Sequence, residues 1–213
     1  MEFHHEIKIP KERIAVLIGK SGEIKHEIEE ETNTKINIDS KEGDVNLSGE
    51  DSLGIFIAKD VIKAIARGFN PDLAKLLLKG DYTFDMVNIQ DYTGKSKKDS
   101  LRLKGRVIGT EGKSRRHIED LTETNISVYG KTIAIIGRAE DTNIARKAVE
   151  SLLAGSAHTS VYKWLEKKKK EKERNNFLQH TEPEEHFKEI SDLEEETDEV
   201  SSEKDNDQEN DES

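Results

Sequence analysis

Two glycine pairs are the residues in this chain whose type and spacing could do chemistry. Gly19-Lys20-Ser21-Gly22 and Gly109-Thr110-Glu111-Gly112 each follow an aliphatic run, Leu17-Ile18 and Val107-Ile108, and each precedes a segment of helical periodicity. Glycine has no Cβ, so a backbone passing through Gly-x-x-Gly can lie very close to another group. A helix starting at the second glycine directs free N–H groups and the positive end of its dipole to the same place. Such an arrangement suits non-covalent capture of an anion. Lys20 and Lys25 stand near the first pair, and Lys104, Arg106, Lys113, Arg115 and Arg116 near the second. One isolated pair reads more simply as a tight turn between helices. Two copies, one of them followed by Lys113, Arg115 and Arg116, favour the anion.

Other phosphate and catalytic chemistries fail on spacing. Gly-Lys-Ser occurs at 19–21, 94–96 and 112–114, but a phosphate-binding ATPase loop needs a further glycine where Ile14, Ile89 and Val107 stand. The Gly-x-Gly of a dinucleotide site is absent. Without cysteine there is no disulfide, thiolate metal site or thiol nucleophile. A metal-dependent nuclease needs clustered carboxylates on a rigid site, and no repeated Asp constellation occurs. His4-His5 is a pair that could bind metal, set at the N-terminal end. No catalytic residue, metal site or cofactor is expected.

The elements that position the glycine pairs are legible because the chain contains itself twice. Ile28, Thr32, Thr34, Ile36 and Ile38 fall onto Ile118, Thr122, Thr124, Ile126 and Val128 at a constant offset of 90. The offset becomes 88 at Val45 and Ile133 and 87 at Ala58 and Ala145, so loops shorten between packed elements. By periodicity each unit reads strand, helix, helix, strand, strand, helix. The first has strands at 6–9, 35–38 and 44–47 with helices at 11–18, 23–31 and 52–67. The second has strands at 86–91, 125–128 and 132–136 with helices at 100–108, 113–121 and 141–154. The expected fold class is α+β, each three-stranded sheet covered on one face by helices. Domains are expected at 1–69 and 82–156, with a packed connector at 70–81 opened by an Asn70 cap. The second unit also carries about ten extra residues, including a basic loop at 94–98 ahead of its first helix.

The Val-Ile-Gly-x-x-Gly run and this element order resemble the type I KH domain, a single-stranded nucleic-acid binder whose GxxG loop clamps four nucleotides. The resemblance implies aliphatic grooves at Leu17, Ile18, Ile28, Ile36 and Ile38, and at Val107, Ile108, Ile118, Ile126 and Val128. Each of these is equally compatible with ordinary core. An aromatic content of 5% agrees better with this module than with a fold that stacks bases on sheet aromatics. More specific strings are Tyr92-Thr93-Gly94-Lys95-Ser96-Lys97, Lys104-Gly105-Arg106, Glu119-Asp120-Leu121-Thr122 and Tyr129-Gly130-Lys131-Thr132. With these the span from about Phe3 to Lys170 is similar to archaeal tandem KH RNA-processing proteins related to the eukaryotic partner-of-Nob-one and Krr-one assembly factors. That resemblance implies single-stranded RNA as ligand, near the 3' end of 16S precursor RNA. It also implies two protein partners, the processing endonuclease and a translation initiation factor. The same domains in RNA decay or translation control are the alternative.

Charge decides which half binds. The net charge of −11 divides into −6 over residues 1–92, +9 over 93–179 and −14 over 180–213. In the first unit the helix after the glycines offers Lys25 among Glu23, Glu27, Glu29, Glu30 and Glu31, which would repel phosphate. The second unit is expected to be the main clamp. Glu111 in its loop can face solvent, because the loop works through backbone N–H groups. A basic helix is expected at 157–179, either a solvated surface element or a further RNA or partner contact. The tail at 180–213 has a disordered composition. No stretch approaches the ~20 apolar residues of a spanning helix. A soluble, cytoplasmic protein without membrane partners is expected.

Overall fold

The computed structural model describes residues 2–94 and 96–180. Lys95 and residues 181–213, with the disorder expected of that tail, lie outside the described residues. The first module runs β1 (Phe3–Lys8), α1 (Lys11–Ile18), α2 (Glu23–Thr32), β2 (Lys35–Asp39), β3 (Asp44–Gly49) and α3 (Ser52–Ala66). After α4 (Pro71–Ala74) and a 3-10 turn (Lys75–Leu78) comes the second: β4 (Tyr82–Asn88), α5 (Gln90–Thr93), α6 (Lys97–Ile108), α7 (Lys113–Thr122), β5 (Asn125–Tyr129), β6 (Thr132–Arg138) and α8 (Ala139–Leu153). A helix α9 (His158–His180) follows. Both sheets are antiparallel with the last strand in the middle, β1-β3-β2 and β4-β6-β5.

The repeat is built from the same hardware twice. Thr32 Oγ1 donates to the Ile28 carbonyl at 2.6 Å and meets Thr34 Oγ1 at 2.8 Å. Thr122 does the same with Ile118 and Thr124, at 2.7 and 2.8 Å. A carboxylate then ties each second helix to the next strand, Glu29 accepting the Ile36 N–H and Glu119 the Ile126 N–H, both at 2.7 Å. The buried threonines thereby satisfy their hydroxyls, which would otherwise be costly inside a core. Burial raises the Glu119 carboxyl above its ordinary value, against the Ile126 N–H and Arg115, which lower it. A raised acid favours folding most while protonated in the folded state, so its contribution is full below about pH 4.5 and is lost as pH rises through the folded value. Glu119→Gln keeps an acceptor for Ile126. Its melting temperature is therefore expected to vary less with pH than wild type above pH 4.5; parallel profiles would contradict this.

Three expectations are corrected. The strand expected at 86–91 lies at Tyr82–Asn88, and Gln90–Thr93 turns into α5. α6 starts at Lys97 rather than 100 because Ser96 Oγ accepts the Asp99 N–H at 3.2 Å, a cap that draws Lys97 and Lys98 out of the expected basic loop and into the helix. Asn70 caps α4 with its carbonyl, which accepts the Leu73 and Ala74 N–H groups at 3.1 and 3.0 Å, and makes no side-chain cap. Beyond it Ala74 and Leu77 are buried in the first core.

The sheets also differ. The first alternates, with Val45 and Leu47 buried and Asn46 exposed, and keeps a polar face. In the second, Ile133 to Gly137 are buried on both faces. Ile133 and Ile135 belong to the second core, whereas Ala134 and Ile136 join the first. A continuous apolar run is what a strand covered on both sides requires. At the seam a Cβ on Gly68 would stand 2.8 Å from Ser127 Oγ and 3.2 Å from Tyr129, so glycine permits the approach. Ser127 Oγ donates to the Arg67 carbonyl at 2.8 Å, and the Tyr129 hydroxyl donates to Glu12. Residues 1–167 pack as one unit. Val161 and Leu165 of α9 are buried in the second core, so the start of this helix is not a solvated surface element. From Lys168 α9 continues to His180, with Lys168 paired to Glu171 at 2.7 Å.

Candidate nucleic-acid interface

The two glycine loops follow one backbone path. Gly19, Ser21 and Gly22 have φ of 74°, 54° and 86°, and Gly109, Glu111 and Gly112 have 71°, 53° and 76°. The first glycine is doubly constrained. A Cβ at Gly19 would meet Ile24 Cγ1 at 2.5 Å, and one at Gly109 would meet Ser114 Cβ at 2.6 Å and its N at 2.7 Å. Each loop is thus clamped onto the first turn of the following helix, α2 or α7, whose leading N–H groups open beside it. Lys20, Ser21, Thr110, Glu111 and Lys113 are exposed on these loops, and Glu111 points to solvent as expected.

The candidate cations divide by what already holds them. Lys25 pairs with Glu29 at 3.6 Å and Arg115 with Glu119 at 3.6 Å. Arg116 folds back on the loop, donating to the carbonyls of Glu111 and, at 3.4 Å, Gly112. Lys113 lies 4.0 Å from Glu111, with both side chains exposed, a pairing worth little in water. Lys104 is half-buried and has no carboxylate partner among the described residues.

Arg106 is a structural residue. Its Nε donates to the Leu152 carbonyl at 3.1 Å and its Nη2 to that of Ser156 at 2.6 Å, closing the C-terminal end of α8. In the first module Arg13 donates to the carbonyls of Ile65 and Phe69 at 2.8 and 2.6 Å, the same two acceptor positions in the repeat. Both side chains supply positive charge at a helix C-terminus, adding a second donor to the Ile65 and Leu152 carbonyls, which already accept the Gly68 and Gly155 N–H groups at 3.1 Å. His158 Nε2 also donates to the Arg106 carbonyl at 2.9 Å. Arg106→Ala is therefore expected to destabilise the protein by about 1–3 kcal/mol. RNA affinity measured well below the melting transition should change less than threefold; a tenfold loss with unchanged stability would restore Arg106 to the interface.

Of the aliphatic residues assigned to the grooves, Leu17, Ile28 and Ile36, with Val107, Ile118 and Ile126, are core, at most 3% exposed. Ile126 therefore lies beneath the groove rather than on it. Ile18 and Ile108, which end the helices leading into each loop, and Ile38 and Val128, on β2 and β5, are half-buried and keep part of their apolar surface open. The acidic face of α2 is partly occupied, since both Glu27 carboxylate oxygens accept from Lys75 at 2.9 Å and Glu29 holds the Ile36 N–H. Glu23, Glu30 and Glu31 remain exposed. Among the described residues no cluster of His, Cys, Asp and Glu could hold a metal ion, and no helix is long and apolar enough to cross a membrane.

Paired βααββα modules with the middle strand last in sequence, each carrying a GxxG loop between its first two helices, define a tandem type I KH protein. Residues 4–64 match the KH domain family, and residues 83–170 match the eukaryotic type KH domain, type I. A KH domain-containing protein of Methanocaldococcus jannaschii is 47% identical over 175 residues, covering 80% of this chain and 76% of that one. The pre-rRNA-processing protein pno1 of Aspergillus fumigatus is 34% identical over 51% of this chain, which spans 44% of its length. Among solved structures, Dim2p from Pyrococcus horikoshii aligns with a TM-score of 0.71 at 44% identity, covering 78% of this chain and 99% of that one. The same organism's a/eIF2alpha-aDim2p-rRNA complex contains a chain aligning with a TM-score of 0.74 at 44% identity, over 80% and 96% of the two chains. This chain belongs to the family of archaeal KH-domain proteins related to PNO1 and Dim2.

Proposed function

We propose that this protein binds single-stranded RNA through its glycine-loop grooves, the second dominating, and serves small-subunit ribosomal RNA maturation in the cytoplasm. It acts near the 3' end of 16S precursor RNA and supports the processing endonuclease without cleaving RNA itself. A translation initiation factor is its further partner, in line with the Pyrococcus complex of Dim2p, rRNA and a/eIF2alpha. One observation carries the choice of groove: the α7 loop is followed by Lys113, Arg115 and Arg116, whereas the α2 loop is followed by Glu23 and, further along the same helix, the exposed Glu30 and Glu31. The contact residues are Gly109 to Lys113 through backbone and charge, Lys104, Arg115 and Arg116 around them, and Ile108 and Val128 as apolar surface. Ile18, Gly19, Lys20, Ser21, Gly22 and Lys25 form the weaker groove.

Incubation of the protein with labelled 16S precursor and Mg²⁺ tests the non-catalytic part. Binding without cleavage is expected; cleavage by the pure protein would overturn it.

A further inference from the structure

We infer that the second module holds an additional nucleotide subsite outside its glycine-loop groove, a basic cavity along α6 that takes the RNA nucleotides adjoining those gripped at the loop. This rests on the RNA-binding reading above. The cavity measures about 610 Å³ and is lined by Gln90, Lys97, Ser100, Leu101, Lys104 and Lys131, among other residues. Ligand clefts typically measure ~300–1,000 Å³. Among the described residues no carboxylate lines it, in contrast to the cavity on the first sheet, which includes Glu6.

The lining has the three chemistries that a nucleotide presents. Lys97 and Lys131, with Lys104 at the boundary shared with the glycine-loop groove, offer ammonium groups to phosphate, and none has a carboxylate partner among the described residues. The neighbouring Arg102, by contrast, pairs with Asp99 at 3.3 Å. Gln90 and Ser100 offer donors and acceptors to a base edge or a 2'-hydroxyl. Leu101, 73% exposed, offers an apolar surface to the flat of a base.

The cavity is continuous with the loop. Lys97, Leu101, Lys104 and Ile108 recur at helical spacing and share one face of α6, while Leu103 and Val107 on an adjoining face are buried. Eleven residues of helix rise about 16 Å. An apolar and cationic stripe of that length therefore runs from the cavity to Gly109.

Its origin is the insertion unique to the second repeat. In both modules the first strand is followed by a matching tie, Ile9 N–H to the Gly43 carbonyl and Ile89 N–H to that of Lys131, each 2.9 Å. In the first module α1 begins two residues later, at Lys11. In the second, α5 and its following turn intervene, and the longer α6 begins at Lys97, across the cavity from Lys131.

Fluorescence anisotropy on the full chain tests the assignment. The probes are a labelled tetranucleotide and the same RNA extended by three nucleotides on its 5' or its 3' side. One extension is expected to raise wild-type affinity at least tenfold. Lys97→Ala/Leu101→Ala/Lys131→Ala, three changes at the cavity's exposed residues, should bind the tetranucleotide within twofold of wild type and lose most of the gain. Its salt slope on the longer RNA should be shallower by ~0.7 for each lost phosphate contact. No gain from either extension, or a gain the triple variant keeps, overturns the subsite. If Thr110→Asp/Glu111→Asp binds the tetranucleotide like wild type, the groove reading fails instead, and the subsite with it.

Discussion

Thr110→Asp/Glu111→Asp is expected to lower affinity for single-stranded RNA at least tenfold while far-UV circular dichroism and melting stay native. Both side chains are exposed on the second loop, so no core contact is lost. Position 111 has φ of 53°, in the left-handed region that aspartate tolerates better than most residues. The change adds one negative charge at 110 and draws the carboxylate at 111 closer to the backbone, where the strand's phosphates would lie. Two unit charges 4 Å apart cost about 1 kcal/mol in water and about 4 at the effective dielectric of a protein surface. A tenfold loss is ~1.4 kcal/mol, near the lower of these. The equivalent change in the first module, Lys20→Asp/Ser21→Asp, removes a cation and adds two carboxylates. It should still cost less affinity, because α2 already carries exposed Glu23, Glu30 and Glu31 and the first loop is expected to bind RNA more weakly. Equal losses would contradict the asymmetry.

Gly109→Ala should be the most destabilising small change in either loop. The new methyl would stand 2.6 Å from Ser114 Cβ and 2.7 Å from its backbone N, at a φ of 71° and ψ of 177°, a region that is essentially glycine's alone and costs about 1–3 kcal/mol for another residue even in open space. Gly112→Ala meets nothing nearer than the end of Arg116, at 3.8 Å, and incurs the conformational cost alone. Gly109→Ala should therefore lose at least ~3 kcal/mol and Gly112→Ala about 1. At ~2–4 °C per kcal/mol for a packed unit of this size, the two melting temperatures should differ by several degrees. Equal shifts would contradict both the close contact and the glycine-only backbone of the first position.

Local patterns were the legible part of the sequence. The glycine pairs, the Thr-x-Thr spacings and the aliphatic positions recur at near-constant offset, and the elements they announce lie within a few residues of where periodicity puts them. What escaped depends on partners far along the chain. Arg106 carries the charge and position of a phosphate ligand, but its acceptors lie 46 and 50 residues away. Its counterpart Arg13 reaches the equivalent carbonyls from a different register, so alignment of the repeats does not pair the two arginines. The double coverage of the second sheet did leave a signal, the unbroken Ile133-Ala134-Ile135-Ile136 against the alternating Val45-Asn46-Leu47-Ser48. Reading both runs simply as strands hides the difference, and with it the packing of one module on the other. Ile126 illustrates the opposite error, since matching a groove position by motif says nothing about whether the side chain is covered from below.

Ultraviolet crosslinking of the intact chain to a short RNA from the 3' end of 16S precursor, followed by mapping of the crosslinked peptides, tests the central claim most directly. Crosslinks are expected to concentrate in the second module, on peptides spanning Lys104 to Lys131, with a minor set around Gly19 to Lys25. A majority on the first loop, or crosslinks confined to residues outside both loops, would contradict an RNA clamp centred on Gly109 to Lys113.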